Sequence, residues 1–267
     1  MVSQFHYDAS APLQVQEISV VNKNGVAIHD ITYVSEGKTI SAYLVEPGGN
    51  GPFAAIEFIH WLASTPDANR TEFLQEAITL AHKGAVSLLP QGTYPWIDSP
   101  VNAQQDCANT IQQTIALRRG LDLLLSIKTV DSKRVAFVGH DYGAMYGAIL
   151  AGVETRIKTF VLMTPIERFS AWNVPFFLPA LNPADRLKYI NDTAAIDPIN
   201  YIGHAAPASL LFQFAKNDVF VAEGDVLNLT ELASKPNTVK LYDTGHHLND
   251  AARLDRLSWL IQHLHLT

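Results

Sequence analysis

The chain has 267 residues, 48% hydrophobic and 17% charged, with a formal net charge of −7. This composition excludes a disordered chain and supplies apolar material for a two-sided sheet core. An acidic chain without a Lys/Arg block argues against nucleic acid and anionic membrane surfaces as partners.

Cys107 is the only cysteine, which excludes an intramolecular disulfide and a cysteine metal cluster. Met1 to Val20 lacks a basic start followed by an apolar run. No segment reaches the roughly 18 apolar residues of a membrane span. A cytoplasmic protein is the expectation, with its oligomeric state open.

In chain order, residues 14–21 and 26–47 alternate apolar and polar side chains around turn signals at Asn24-Gly25 and Ser35-Glu36-Gly37, the pattern of antiparallel strands. From Pro52 the rhythm changes to short apolar runs followed by helical periodicity. Strands are expected at 53–59, 85–89, 134–138, 159–163, 209–214 and 239–242. Helices are expected at 70–82, 103–126, 142–153, 222–233 and 250–265. Continuous apolar strands alternating with helices predict a mostly parallel sheet covered on both faces. The stretch 165–207 breaks the alternation with Pro, Phe, Tyr and Asn, and reads as a short lid inserted in one α/β domain spanning 1–267.

Gly139-His140-Asp141-Tyr142-Gly143 lies between a predicted strand and a predicted helix. A sharp strand-to-helix turn needs small residues on either side of its apex, and it projects the apex side chain over the helix N-terminus. The dipole there favours an anion, which suits the Asp141 carboxylate. Alone, two glycines around an aspartate also describe an ordinary turn. Downstream, Asp218 follows the strand at 209–214, and His246 follows the strand at 239–242, with His247 as the alternative. Asp218 alone reads as a turn or capping residue, and either histidine as a solvated loop residue. Three candidates in the order nucleophile, acid, histidine, each at a strand's carboxyl end, point instead to a converging triad. His60 and His140 flank strands and read as packing or orienting residues. Cys107 reads as structural. No metal-ligand spacing is present, and no metal or cofactor is expected.

The run Val130-Asp131-Ser132-Lys133-Arg134-Val135-Ala136-Phe137-Val138-Gly139-His140 resembles the approach to the nucleophile in dienelactone hydrolases and related esterases of the α/β-hydrolase superfamily. Phe212-Gln213-Phe214-Ala215-Lys216-Asn217-Asp218 and Gly245-His246 resemble the acid and histidine loops of the same group. The likeness runs from about Phe53 to the C-terminus and implies an α/β-hydrolase fold. Those enzymes carry Cys or Ser where this chain has Asp141. Locally, Gly-His-Asp-Tyr-Gly is more similar to the elbow of epoxide hydrolases and haloalkane dehalogenases, which carry a larger helical cap. Phe58-Ile59-His60-Trp61 stands where these relatives usually have His-Gly.

An ionised carboxylate is suited to displacing a leaving group from saturated carbon, after which His246, oriented by Asp218, activates water to hydrolyse the alkyl ester on Asp141. The backbone N–H groups of Tyr142 and Trp61 are the expected oxyanion donors. Trp61, Trp96, Tyr142, Trp172, Tyr189 and Tyr201 are the candidates for lining the pocket and assisting the leaving group, although for each of them core or lid packing is the simpler role. The leading expectation is therefore hydrolysis of a small apolar epoxide or organohalide. An esterase or lactonase of the dienelactone-hydrolase type is the second, and a non-catalytic ligand-binding pseudo-hydrolase the third.

Overall fold

The computed structural model describes residues 2–62, 69–92 and 102–267. Among them, nine strands form one sheet in the order β1-β2-β3-β5-β4-β6-β7-β8-β9. The first three, β1 (Gln16–Lys23), β2 (Val26–Ser35) and β3 (Lys38–Pro47), are antiparallel, with turns at Asn24-Gly25 and Glu36-Gly37. β3 pairs antiparallel with β5 (Ala85–Pro90). From there β4 (Phe53–Ile59), β6 (Val130–His140), β7 (Thr159–Met163), β8 (Ser209–Ala215) and β9 (Asn237–Tyr242) run parallel.

The two faces follow from the two-residue period of a strand. Phe137, Phe160 and Phe212 enter one core with Leu117, Leu121 and Leu124 of α2 (Ala103–Ser126) and Ala144 and Ile149 of α3 (Tyr142–Val153). Their neighbours Val138, Val161 and Leu211 enter the other, with Ala77 and Leu80 of α1 (Leu74–Ala81) and Leu257 and Leu260 of α7 (Asp250–His263). Complete burial of one such leucine contributes roughly 1.5–3 kcal/mol. α2 starts where the Asn102 side chain accepts the Gln105 N–H at 2.9 Å, satisfying one orphan donor of the first turn.

Boundaries differ from expectation at a few places. The helix expected over 70–82 is a 3-10 turn, Asn69–Thr71, followed by α1. β6 extends in both directions from the predicted 134–138, as far as His140, the residue before the apex. Between β7 and β8 the chain leaves the sheet and forms α4 (Phe169–Trp172), a π-helical turn at Asn173–Phe177, α5 (Pro183–Thr193) and three 3-10 turns, before α6 (Glu223–Leu232) restores the alternation. Asn182 caps α5 and Pro183 occupies its first turn, where a missing N–H costs nothing. No helix among the described residues is long and apolar enough to cross a membrane.

Candidate active site

Asp141 occupies the turn from β6 into α3 with φ +59° and ψ −122°. A non-glycine residue held there costs on the order of 1–3 kcal/mol. The flanking glycines make the turn feasible. A Cβ on Gly143 would lie 2.6 Å from the Ile59 carbonyl oxygen and 2.7 Å from that of His60. A Cβ on Gly139 would run into the Gly143 carbonyl. Asp141 is the N-cap of α3, yet its side chain makes no capping bond. The carboxylate lines a cavity instead.

Among the described residues, two groups reach it. The Leu62 N–H donates to Oδ2 at 2.9 Å, and His246 Nε2 lies 3.4 Å from Oδ1. Behind the imidazole, His246 Nδ1 is 2.8 Å from Asp218 Oδ2 and 3.1 Å from Oδ1. The Phe220 and Val221 N–H groups donate to Asp218 Oδ1 at 2.9 and 3.2 Å and fix that carboxylate in its loop. The three residues thus meet at the carboxyl ends of β6, β8 and β9. His247, the alternative histidine, is exposed and turns its ring toward Trp61, with centroids 4.4 Å apart.

Burial pulls the His246 pKa down, but hydrogen bonds and charge from Asp141 and Asp218 outweigh it and push the value up to about 9. At neutral pH the imidazole is a cation between two carboxylates.

The expectation for Trp61 is corrected. Its N–H donates to Glu72 Oε2 at 2.9 Å, and the next amide, that of Leu62, faces Asp141. Each of the two successive amides finds its own carboxylate, a charge-assisted acceptor, so neither is left unpaired in this half-buried loop. His60 braces this loop. Its Nε2 accepts the Gly92 N–H at 2.8 Å, so Nδ1 carries the proton and donates to the Trp61 carbonyl at 2.7 Å. Burial lowers its pKa and keeps the ring neutral. His140 is likewise an orienting residue, with Nδ1 2.6 Å from Glu72 Oε1 and Nε2 3.2 Å from the His246 carbonyl oxygen.

The cavity measures about 300 Å³. Around Asp141 and His246 its walls are Trp61, Leu62 and Tyr142, then Trp172, Phe176 and Phe177 from the β7–β8 segment, and Phe220 from the Asp218 loop. The Tyr142 hydroxyl and the Trp172 indole N–H are directed elsewhere. Tyr142 Oη donates to Asn173 Oδ1 at 2.8 Å, Asn173 Nδ2 to Tyr189 Oη at 2.9 Å, and Tyr189 Oη to Asp106 Oδ2 at 2.6 Å. Trp172 Nε1 donates to the Phe220 carbonyl at 2.8 Å. Tyr189 and Tyr201 are corrections, since neither lines this cavity. Tyr189 passes that buried chain on to Asp106. Tyr201 packs edge-on to Phe5 and donates to the Ala195 carbonyl at 2.6 Å. A phenol buried on folding needs an acceptor, and each finds one away from the cavity. Trp96 lies outside the described residues. Cys107 Sγ stands 3.6 Å from the Asp192 carbonyl, and burial pushes its thiol up to about 11, far from nucleophilic at neutral pH.

Leu62, Glu72, Phe176, Phe177 and Phe220 are contributors that sequence reasoning missed. Phe220 was within reach of it, being two residues past Asp218 in a loop already assigned to the site. Leu62 acts through its backbone and leaves no side-chain signal.

No family model matches the chain, and no curated protein sequence does. Solved structures do match. The acetyl xylan esterase from Paenibacillus sp. R4 superposes with a TM-score of 0.78 at 19% identity, over 94% of this chain and 89% of that one. Acetyl xylan esterase 1 from Thermoanaerobacterium sp. JW/SL YS485 gives 0.78 at 13% identity, over 97% and 91%. The alpha/beta hydrolase GrgF from Penicillium sp. sh18 gives 0.65 at 15% identity, over 88% and 98%. At these identities the likeness establishes the fold, which is that of the α/β-hydrolases, with a mostly parallel sheet and helices on both faces.

Proposed function

We propose that this chain is a hydrolase of small, uncharged carboxylic esters or lactones, with the Asp141 carboxylate as the attacking group. The observation that carries the reading is the Leu62 N–H on Asp141 Oδ2 at 2.9 Å, beside the His246 imidazole. In a serine-type site such an amide awaits the substrate oxygen. Here it holds an oxygen of the attacking residue, where negative charge concentrates when water adds to the Asp141 carboxyl carbon.

Asp141 adds to the ester carbonyl, the bond to the alkoxy oxygen breaks, and the His246 imidazolium gives its Nε2 proton to the departing alcohol. The acyl group is left on Asp141 as a mixed anhydride. His246, now neutral and held by Asp218, takes a proton from water as the hydroxide adds to the Asp141 carboxyl carbon. Collapse releases the carboxylic acid and restores both the carboxylate and the imidazolium. In this reading the amides that open α3, Tyr142 first, serve as further donors, with the helix dipole in support.

Two features favour esters over the expected epoxide. The solved neighbours named as acetyl xylan esterases share the fold over most of both chains. Opening an epoxide calls for an O–H donor besides the His246 imidazolium, and the Tyr142 hydroxyl, the phenol in the described lining, is bonded to Asn173. A second reading, displacement of a halide from a small haloalkane, draws on one observation: a carboxylate at the apex needs no deprotonation to attack carbon. Panels of p-nitrophenyl and alkyl esters, lactones, epoxides and haloalkanes test both readings. Ester or lactone turnover that Asp141→Asn lowers by roughly 10³–10⁶ is expected for loss of a nucleophile. Turnover of haloalkanes or epoxides alone would transfer the assignment to alkyl chemistry.

A further inference from the structure

Glu72 lies in the turn before α1 and joins three parts of the site. Its Oε2 accepts the Trp61 N–H at 2.9 Å, and its Oε1 lies 2.6 Å from His140 Nδ1. His140 Nε2 lies 3.2 Å from the His246 carbonyl oxygen. One carboxylate therefore ties the loop after β4, the end of β6 that carries Asp141, and the loop that carries His246. The rings reinforce this line. Trp61 lies over His140 with centroids 6.0 Å apart, and His140 over His246 at 5.4 Å.

We propose that Glu72 is a positioning residue for the reacting groups. By taking the Trp61 N–H it leaves the following amide, that of Leu62, turned onto Asp141 Oδ2. By holding His140 it sets the carbonyl of His246, and with it the approach of the imidazole to Asp141. Glu72 meets Trp61 and His140 rather than the reacting atoms, so its effect passes through them. The catalytic consequence rests on the reading of Asp141 as the attacking group. The geometric content does not.

Hydrogen counting identifies the informative variants. A carbonyl only accepts, so His140 Nε2 carries a hydrogen, and the short Nδ1–Oε1 contact holds one further proton between the two residues. A glutamine can reproduce this arrangement: its carbonyl accepts the Trp61 N–H and its amide donates to Nδ1. A methionine of similar size can make neither bond.

The test reads the Leu62 amide by ¹H–¹⁵N NMR and hydrogen exchange in wild type, Glu72→Gln and Glu72→Met, with no substrate present. In Glu72→Met the Leu62 resonance moves upfield and its exchange accelerates by at least ~10-fold, as for an amide that has lost its acceptor. In Glu72→Gln both stay near wild type. With any substrate that turns over, Glu72→Met lowers kcat by ~10–10² while KM changes by less than ~3-fold, and Glu72→Gln recovers most of the loss. An unchanged Leu62 amide in Glu72→Met overturns the proposal, and so does equal displacement in both variants. If Glu72→Met does not fold, Glu72→Gln decides: a displaced Leu62 overturns the assignment, an undisplaced one sustains it. If no ester turns over, the proposed function fails while the Leu62 measurement still decides this inference.

Discussion

His246 Nε2 faces Asp141 Oδ1 across 3.4 Å, and this proximity sets the charge state of the resting site. With Asp218 on the other ring nitrogen, the imidazole holds its proton up to about 9. A serine hydrolase needs the opposite, a neutral histidine that can act as base in the first step.

The first prediction is the pH profile. The protonated form of His246 is the one below its pKa, and it is the form that supplies a proton to the leaving alcohol. The kcat/KM for an accepted ester therefore declines as pH rises through about 9, since that ratio reports the free enzyme. In Asp141→Asn the His246 Cε1–H titration moves to lower pH, because one of the two carboxylates raising it is gone. A kcat/KM that climbs through pH 9, or an unmoved titration, contradicts the cationic resting state.

The same shift predicts a stability signature. A pKa raised from 6.5 to about 9 on folding contributes roughly 3 kcal/mol. That contribution is complete below pH 6.5 and is lost as pH rises through about 9. Urea unfolding of wild type between pH 6 and pH 10 should show the loss, and His246→Gln should lack that component. Equal slopes in the two proteins would remove the linkage.

The cavity's charge leads to a third prediction. Apart from Asp141 and His246, its described lining is uncharged. Residues 63–68 and 93–101 contain neither lysine nor arginine. A substrate carboxylate would meet no countercharge beyond the reacting pair. The enzyme should prefer p-nitrophenyl butyrate over p-nitrophenyl hemisuccinate by ~10-fold or more in kcat/KM, the cost of an unpaired charge in an apolar site. Phe176→Arg should narrow the gap. Equal turnover of the two esters by wild type counts against an uncharged substrate class.

Asn173 provides the fourth. It links the Tyr142 and Tyr189 hydroxyls between the elbow helix and α5, and the chain ends on Asp106, whose pKa burial raises. Asn173→Leu removes the acceptor of the Tyr142 hydroxyl and the donor to the Tyr189 oxygen, two buried bonds worth ~0.5–1.5 kcal/mol each. Urea unfolding should show a loss of a few kcal/mol, with a larger KM because Tyr142 and Trp172 wall the cavity. An unchanged midpoint and KM would mean that the chain neither stabilises nor shapes the site.

Much of this arrangement was legible in the sequence, for physical reasons. Phe53–Ile59 and Thr159–Met163 are continuous apolar runs because both faces of a parallel strand are covered, and their ends fall as expected. Gly139 and Gly143 announced the turn at Asp141 because only a missing Cβ lets the backbones pass so closely. The Leu62 donor was not legible, because which amide faces the site depends on Glu72, a residue ten positions further along that folding alone brings to the loop. Tyr189 and Tyr201 show the same limit: an aromatic residue between β7 and β8 can enter the cavity or anchor the segment, and its composition is the same in both cases.

In the proposed route, water adds to the carboxyl carbon of Asp141 in the second half of the reaction. Multiple turnovers of an accepted ester in ¹⁸O-enriched water, followed by mass spectrometry of the peptide containing Asp141, test it directly. ¹⁸O is expected to enter the Asp141 carboxylate, and no label is expected when the same water is supplied without substrate. An Asp141 peptide that stays unlabelled after many turnovers, with all the ¹⁸O in the product acid, would show that water adds to the substrate and not to Asp141.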